Sequence, residues 1–417
     1  MRNQITYLLW TLLLVAGNTA KAQTFRTETL SDPIRTLRVF PSGYWNLPPV
    51  INLQNGEQIE ISFDLLGATP EYYTYRLLHC NADWTPSQLT QSEYLDGLQN
   101  HPVDDYVHSF NTTMDYVNYR LAIPNERVNL KVSGNYAVQI FPGNSSQPVA
   151  IACFSVVEPQ AGIQAQVSPL TDRGANTKYQ AVSFEVDYGT DIQSPVQDLK
   201  VYVQQNNRFD NEASLVKPLN LQNKKAVYDH SPALIFEASN EYRSFEMTTV
   251  RYAGLHVETV EFFDPYYHTT LKPDALRSNR PYLYNEDING RIYIRNNDAQ
   301  DSNMEADYQF VHFYLPCDKP FAENVYILSE AFNNLLDERS QMEYSAADKG
   351  YVKSVLLKEG YYNYLYVNRK NNNSPASSSL IEGNYYQTEN EYRVMVYARP
   401  MGWRYDKLIG VQTIQFK

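Results

Sequence analysis

Alternation of apolar and polar residues is the feature of this chain that most restricts its fold. In QIEISFDLL, at positions 58–66, every second side chain is apolar, from Ile59 to Leu65. Successive side chains of a strand point to opposite faces, so this period places the apolar side chains together. Strand-like segments recur along the chain, at 34–40, 49–53, 72–80, 115–123, 128–141, 149–157, 163–167, 180–188, 199–203, 233–238, 245–249, 255–263, 290–296, 308–316, 324–332, 351–367, 391–400 and 409–416. The pattern predicts an all-β protein whose sheets each bury one face.

Length and strand spacing predict several domains. A chain of 417 residues is long for one β-sandwich and suggests two to three domains, each with its own core. We predict a first immunoglobulin-like sandwich over 23–158, because seven or eight short strands fit that architecture. The linker EPQAG follows at 158–162. A second β-domain is expected over 159–285, with a polar surface loop at 204–225, and a third over 286–417.

The first 22 residues have the organisation of a signal peptide. Arg2 supplies a positive charge, residues 5–16 are predominantly apolar, and Ala20-Lys21-Ala22 offers a cleavage site. The mature chain would begin at Gln23, which provides no thiol for a lipid anchor. No later apolar stretch approaches 18 residues, so we expect no direct membrane insertion. The expected product is exported and soluble.

Charge and cysteine content exclude some classes of protein. The formal net charge is −12, which disfavours nucleic acid and anionic lipid as partners, since both attract clustered positive charge. The three cysteines are Cys80, Cys153 and Cys317. At most one disulfide is possible, between Cys80 and Cys153, and the strand-like context of these two residues favours buried thiols instead. The chain does not have the composition of a disulfide-stapled scaffold.

The sequence contains no recognisable catalytic or metal-binding motif. The seven histidines show no ligand spacing, and neither a nucleophile elbow nor a phosphate-binding loop is present. His79, Cys80 and Asp83 could suggest a metal site or a Cys-His pair, but His79 and Cys80 are neighbours on a strand and so point to opposite faces. Asp104 and Asp105 lack the alternating, glycine-containing loop of a calcium site, which favours a solvated acidic turn. We therefore predict no enzymatic activity, no cofactor, no metal and no small-molecule substrate.

Aromatic residues outside the strands are the remaining functional signal. Tyr and Trp can anchor an interface because their rings bury a large area and keep a polar end. The alternative is that each ring covers the end of its own sandwich. The candidates lie in irregular segments: Tyr44, Trp45, Trp84, Tyr94, Tyr266 and Tyr267.

Four motifs in the first predicted domain resemble one known family. They are HCNADW (79–84), QSEYLDG (91–97), YRLAIPNE (119–126) and SGNYAVQIF (133–141). Their order and spacing are similar to the first domain of the plug protein of the type IX secretion system of certain Gram-negative bacteria, and looser similarity extends to residue 413. The resemblance implies a periplasmic, non-enzymatic component that closes the periplasmic mouth of the outer-membrane translocon when no substrate occupies it. The implied partner is the translocon barrel, and Tyr44, Trp45 and Tyr94 are the expected interface residues.

A second resemblance suggests a different function. VYILSEAFNN (325–334) and VLLKEGYYNYLYV (355–367) are similar to the early-set sandwich of glycan-binding modules. Those modules bind sugar through a Trp shortly after the Phe-Asn pair, whereas here Asn333-Asn334 leads to Leu335-Leu336-Asp337. The resemblance implies an early-set fold for the third predicted domain. A periplasmic or surface glycan-binding β-protein is the alternative function.

Overall fold

The computed structural model describes residues 23–143, 145–189, 192–372 and 374–417. The predicted signal peptide, 1–22, lies outside the described residues. Strands contain 46% of the chain and helices 5%. The prediction of an all-β protein with tandem β-sandwich domains is confirmed.

The first sandwich unit packs two sheets around one apolar core. One sheet has the order β1-β12-β11-β5-β7, with β3 added to β12, and the other has the order β2-β4-β9-β8. Phe63 and Tyr119 stack in the core with ring centroids 5.1 Å apart. Its elements are β1 (Glu28–Thr29), β2 (Ile34–Pro41), β3 (Val50–Asn52), β4 (Ile59–Leu66), β5 (Tyr73–Cys80), α1 (Gln91–Tyr94), β6 (Leu95–Gly97), β7 (His101–Pro102), β8 (Asp105–His108), β9 (Tyr116–Ile123), β10 (Val128–Leu130), β11 (Gly134–Pro142) and β12 (Ala150–Val157).

The second unit begins directly after the first. Strands β13, β14, β17 and β16 form one sheet in that order, and β18 pairs with β14. The elements are β13 (Gly162–Ser168), β14 (Tyr179–Asp187), α2 (Pro195–Asp198), β15 (Leu199–Gln205), β16 (Asn220–Gln222), β17 (Lys225–Tyr228), a 3₁₀ turn (Pro232–Leu234) and β18 (Ile235–Glu237).

The third unit is built from the consecutive strands β19 to β27. One sheet has the order β19-β27-β22 with β24 also on β27, and the other has the order β20-β21-β23-β26-β25. The elements are β19 (Arg243–Met247), β20 (Val257–Phe263), β21 (Tyr266–Leu271), β22 (Ile292–Ile294), α3 (Ser302–Glu305), β23 (Tyr308–Pro316), β24 (Asn324–Leu328), a 3₁₀ turn (Glu330–Phe332), β25 (Glu343–Ser345), β26 (Gly350–Lys358) and β27 (Gly360–Arg369).

The last two strands return to the second unit. Strand β28 (Asn390–Ala398) pairs with β15, and β29 (Lys407–Phe416) pairs with β28, which completes the second sheet of that sandwich. Tyr392, Val394 and Val396 share its core with Val182 and Phe184.

Strand pairing thus differs from the predicted ranges 159–285 and 286–417. Strands β19 to β21, which fall within 159–285, pair in the sheets of the third unit, and β28 and β29 close the second. The physical reason is that alternation shows which face of a strand is buried but not which distant strand lies beside it.

Two segments expected to be loose are held by backbone contacts. The N–H groups of Glu158 and Gln160 donate to the carbonyls of Leu408 and Ile409, so the predicted linker is fastened to β29. In the tract 204–225, Arg208 is 5% exposed and donates to the carbonyl of Ala376 at 2.9 Å. The first half of that tract therefore contains an inter-unit contact, and the exposed residues of the tract lie in its second half, at 214, 215, 217 and 219–224.

Candidate partner interface

The loop between β2 and β3 presents the most accessible of the candidate residues. The Tyr44 side chain is 60% exposed and Leu47 is 47% exposed. Trp45 is half-buried, and its ring lies 4.5 Å from the ring of Tyr293 on β22. Trp45 therefore fixes the loop to the third unit, while Tyr44 points towards solvent.

Tyr94 lies inside the first unit. It is 5% exposed, and its hydroxyl donates to the carbonyl of Leu77 at 3.0 Å. Its ring centroid is 6.2 Å from that of Tyr136. The Tyr94 side chain therefore packs against the core beneath the segment between β5 and β8, where a partner cannot reach it.

The other aromatic candidates divide between an inter-unit contact and a hairpin. Trp84 is half-buried, with its ring 6.4 Å from Phe209 of the second unit. Tyr266 and Tyr267 are half-buried in the β20–β21 hairpin, where Phe263 on the opposite strand is 57% exposed. This hairpin is a second exposed aromatic patch.

His79 has a structural environment. Its Nδ1 lies 2.9 Å from Ser87 Oγ and its Nε2 lies 3.2 Å from the carbonyl oxygen of Ser133. Burial lowers the pKa of His79 to about 4. Gly134 has φ of +136°, and a Cβ there would fall 2.4 Å from His79 Nε2. The neutral imidazole thus packs directly against backbone.

The cysteines are free thiols, and Asp104 is paired with a cation. All three thiols are free, and Cys80 lies with Cys153 in a small buried cluster, where burial raises the pKa of Cys80 to about 12. Asp104 pairs with Arg127 at 2.5 Å. Among the described residues no group of three or more His, Cys, Asp or Glu could hold a metal ion. Within the same residues, no helix has the length and apolar character needed to cross a membrane.

A buried polar cluster, called here the clasp, joins the first unit to the third. Lys358 Nζ lies 2.7 Å from Asp64 Oδ2 and 3.9 Å from the centre of the Tyr116 ring, and it donates to the carbonyl of Asn303 at 2.8 Å. The Tyr308 hydroxyl donates to Asp64 Oδ2 at 2.7 Å. The side chains of Lys358 and Asp64 are 2% and 1% exposed. Burial lowers the pKa of Lys358, and the Asp64 carboxylate opposes that shift.

The second unit is joined to the first in a similar way. Asp406 accepts a hydrogen bond from the backbone N–H of Ala82 at 3.0 Å and pairs with Lys200 at 2.8 Å. The Tyr397 hydroxyl donates to Asn135 Oδ1 at 2.9 Å. Buried polar groups of this kind hold one relative arrangement, because any displacement leaves them without partners.

Beside the clasp, the first and third units separate into an open groove of about 950 Å³. One wall is formed by residues 28–32 and 34–37, and the opposite wall by 353–358. Residues 331–333 and 336–339 lie between them and form the floor. The floor is tied to the first wall, since Asn333 Nδ2 donates to the carbonyl of Leu37 at 2.9 Å and Arg339 Nη1 to that of Thr29 at 2.9 Å.

Sequence reasoning missed the clasp and the groove. Asp64 lies on the polar face of the alternating segment 58–66, where the pattern predicts contact with solvent. Lys358 directly follows the apolar residues Val355, Leu356 and Leu357. Charged residues are rarely fully buried unless they are paired. There was therefore no reason in the sequence to expect that these two charges, 294 residues apart, are buried together. The groove had no local signal, because its walls, at 28–37 and 353–358, are far apart in the chain.

Comparison with known proteins identifies the first unit. The family model described as "Type 9 secretion system plug protein 1st domain" matches residues 34–158. A crystal structure of a hypothetical protein from Parabacteroides merdae at 2.30 Å resolution is similar, with a TM-score of 0.93 and 45% sequence identity, and the match covers 94% of this chain and 100% of that chain. No curated protein matches the chain.

Proposed function

Because the chain belongs to the type 9 secretion system plug protein family, we propose that it closes the periplasmic mouth of that system's outer-membrane translocon when no cargo occupies the pore. The family match over residues 34–158 is the observation that carries the proposal. Plug-domain proteins are generally non-enzymatic. The chain would act by occlusion and not by catalysis.

The proposed location is the periplasm, with attachment to the outer membrane through the translocon barrel. The family indicates an envelope-associated location, and residues 1–22 have the pattern of an export signal. The formal charge of −12 disfavours direct attraction to anionic lipid headgroups. Contact with a protein partner is therefore the proposed means of attachment.

Occlusion of a wide pore requires a body that keeps its shape. Three sandwiches on flexible linkers would leave gaps, whereas here Lys358 and Asp64 join the first unit to the third, and Asp406 joins the second to the first. Both contacts are buried and paired with hydrogen bonds. They support a single rigid plug over a string of independent domains.

A plug must also leave the pore, so its interface should be moderate in area, with a few aromatic anchors inside a polar rim. We propose that Tyr44 and Trp45 contribute these anchors. Trp45 packs on Tyr293 and thereby holds the loop in place, so the exposed ring of Tyr44 reaches a partner with little loss of conformational entropy. Tyr94 would contribute only indirectly, by supporting the core beneath.

Deletion of the gene tests the proposal. A strain without the protein should become permeable to dyes and antibiotics that the outer membrane normally excludes, with secretion at least partly retained. The leak should disappear when the translocon barrel is deleted as well. A deletion strain that stays impermeable, together with oligosaccharide binding by the purified protein, would instead support the glycan-binding function.

Substitution of Tyr44 tests the interface. Tyr44→Ala should reduce recovery of the barrel with the tagged protein about tenfold, in line with the loss of one aromatic anchor. Tyr72→Ala is a matched control, because Tyr72 is 61% exposed, close to the 60% of Tyr44, and lies at the opposite end of the same unit. Equal recovery with both variants would exclude Tyr44 as an anchor.

A further inference from the structure

Both walls of the groove between the first and third units are strand edges. The lining includes every residue from 353 to 358 of β26, and also residues 34 to 37 of β2, where the pairing of β2 with β4 is irregular and Thr36 has φ of +49°. Side chains of consecutive strand residues point to opposite faces, so a surface that meets all of them meets the edge of the strand. Strand β2 is the last strand of its sheet, and β25 covers β26 only from Gly350 to Val352.

The hydrogen-bond pattern shows which backbone groups of β26 face the groove. At the two ends of the β23–β26 ladder, Cys317 N donates to the carbonyl of Lys349, and Glu359 N donates to that of Asp307. In an antiparallel ladder alternate residues bond to the same neighbour. Odd-numbered residues of β26 therefore bond to β23, and the backbone groups of Ser354 and Leu356 point into the groove.

These groups have no backbone partner within the residues that the structure describes. An unpaired strand edge is a template for another strand, and proteins usually cover, twist or shorten such edges. Here the edge is recessed: the first unit stands opposite, and the floor residues 331–333 and 336–339 lie between. A single extended segment needs only the spacing of one neighbouring strand, about 4.8 Å, to pair with this edge.

We propose that this groove binds an extended segment of the translocon partner, which adds as a strand along Ser354 and Leu356 of β26. The inference rests on the proposed function for the identity of the partner. Main-chain hydrogen bonds would supply affinity, and the side-chain positions would supply specificity, as in other complexes formed by strand addition.

The groove also defines the kind of segment that fits. Residues 353–358 extend over about 20 Å, at about 3.3 Å per residue. Alternate side chains of the added strand would face the floor, where Phe332 and Leu336 are only 7% and 8% exposed. The accessible side chains of the floor are those of Asp337, Glu338 and Arg339. The segment should therefore carry polar or charged residues at every second position, which would pair with these side chains.

Replacement of one outward-facing N–H tests the inference. Leu356→Pro removes the N–H that would donate to the added strand and leaves the bonds of β26 to β23 in place. Leu356→Ala removes most of the side chain and keeps the N–H. Affinity purification of the tagged full-length protein from membranes should recover the barrel about tenfold less with Leu356→Pro than with the wild type, and at nearly the wild-type level with Leu356→Ala.

The two proposals fail in distinguishable ways. If the wild type recovers the barrel and Leu356→Pro recovers as much, the groove inference is wrong and the plug function stands. If the wild type does not recover the barrel and its deletion causes no leak, the plug function is wrong.

Crosslinking gives a result that does not depend on the proline variant being folded. A photoreactive benzophenone amino acid at position 354, in the groove, should crosslink to the barrel in cells. The same group at position 347, an exposed site in the β25–β26 turn, should not. Equal crosslinking at both positions, or at neither, would overturn the inference.

Discussion

The clasp and the groove both involve β26, but polar groups are buried and paired in the clasp, whereas, within the described part of the chain, backbone polar groups are unpaired in the groove. At its carboxyl end, β26 places Lys358 among Asp64, Asn303 and Tyr116 with 2% of its side chain exposed. Four residues earlier, the backbone of Ser354 points into an open groove. The difference is that the first and third units touch at one end of β26 and diverge along the rest. Paired buried groups hold the units together, and unpaired groups beside them provide a place to bind.

Among the changes that test this comparison, removal of the Lys358 ammonium should reduce the stability of the protein most. Lys358→Met leaves the Asp64 carboxylate buried without its counter-charge, and loss of one partner from a buried ion pair costs about 3–5 kcal/mol. Urea unfolding followed by Trp fluorescence should show the loss, since Trp45 packs on Tyr293 across the same pair of units.

A double variant provides the control for that experiment. Asp64→Asn combined with Lys358→Met removes both charges, so it should be less destabilised than Lys358→Met alone. A double variant that is no more stable than Lys358→Met would show that the ion pair does not join the units.

Proline substitutions on the two edges of β26 should differ by a smaller amount. Val355→Pro removes an N–H that bonds to β23 and should cost about 3 kcal/mol, whereas Leu356→Pro removes an N–H that faces the groove and should cost about 1 kcal/mol or less. Thermal unfolding of the two purified variants measures the difference. The reverse order would mean that the hydrogen-bond directions assigned to β26 are wrong.

The pH dependence of stability should also differ between the clasp and the groove, by a smaller amount. Burial raises the pKa of Glu359, next to Lys358, to about 7, while it accepts a hydrogen bond from Asp307 N at 3.0 Å. A carboxyl whose folded pKa lies above its unfolded value near 4.5 contributes stability that is fully present below that value and is lost as the pH rises through 7. The thermal unfolding midpoint of the wild type should therefore fall between pH 5 and pH 8. Glu359→Gln should make this fall smaller.

A carboxyl beside the groove should have the opposite dependence. Burial acts to raise the pKa of Asp337, but the hydrogen bond and charge of Arg339 outweigh it and hold that pKa below the usual value. Its contribution is therefore present at neutral pH and is lost as the pH falls below about 4. Asp337→Asn should reduce the acid sensitivity of the protein without affecting its behaviour between pH 5 and 8. An unchanged acid midpoint would contradict this assignment.

The sequence predicted the positions of the strands well, but it did not predict which aromatic side chains are exposed. The predicted strand at 58–66 corresponds to β4 (Ile59–Leu66), and the one at 72–80 to β5 (Tyr73–Cys80), because alternation is a local property of the chain. Among the aromatic candidates, Tyr44 is exposed and Tyr94 is buried. Both lie in irregular, polar segments, and no local pattern separates a ring that points out from one that folds onto the core.

The sequence by itself determined that this protein is built from β-sandwiches, that it carries the pattern of an export signal, and that its first domain resembles the plug family. These properties depend on neighbouring residues or on motifs in order along the chain. Only the tertiary structure decided that β28 and β29 complete the second unit, that Asp64 meets Lys358, and that a strand edge lines a groove. The physical reason is that many strands share the same two-residue period, so the choice among possible partners depends on how whole sheets pack.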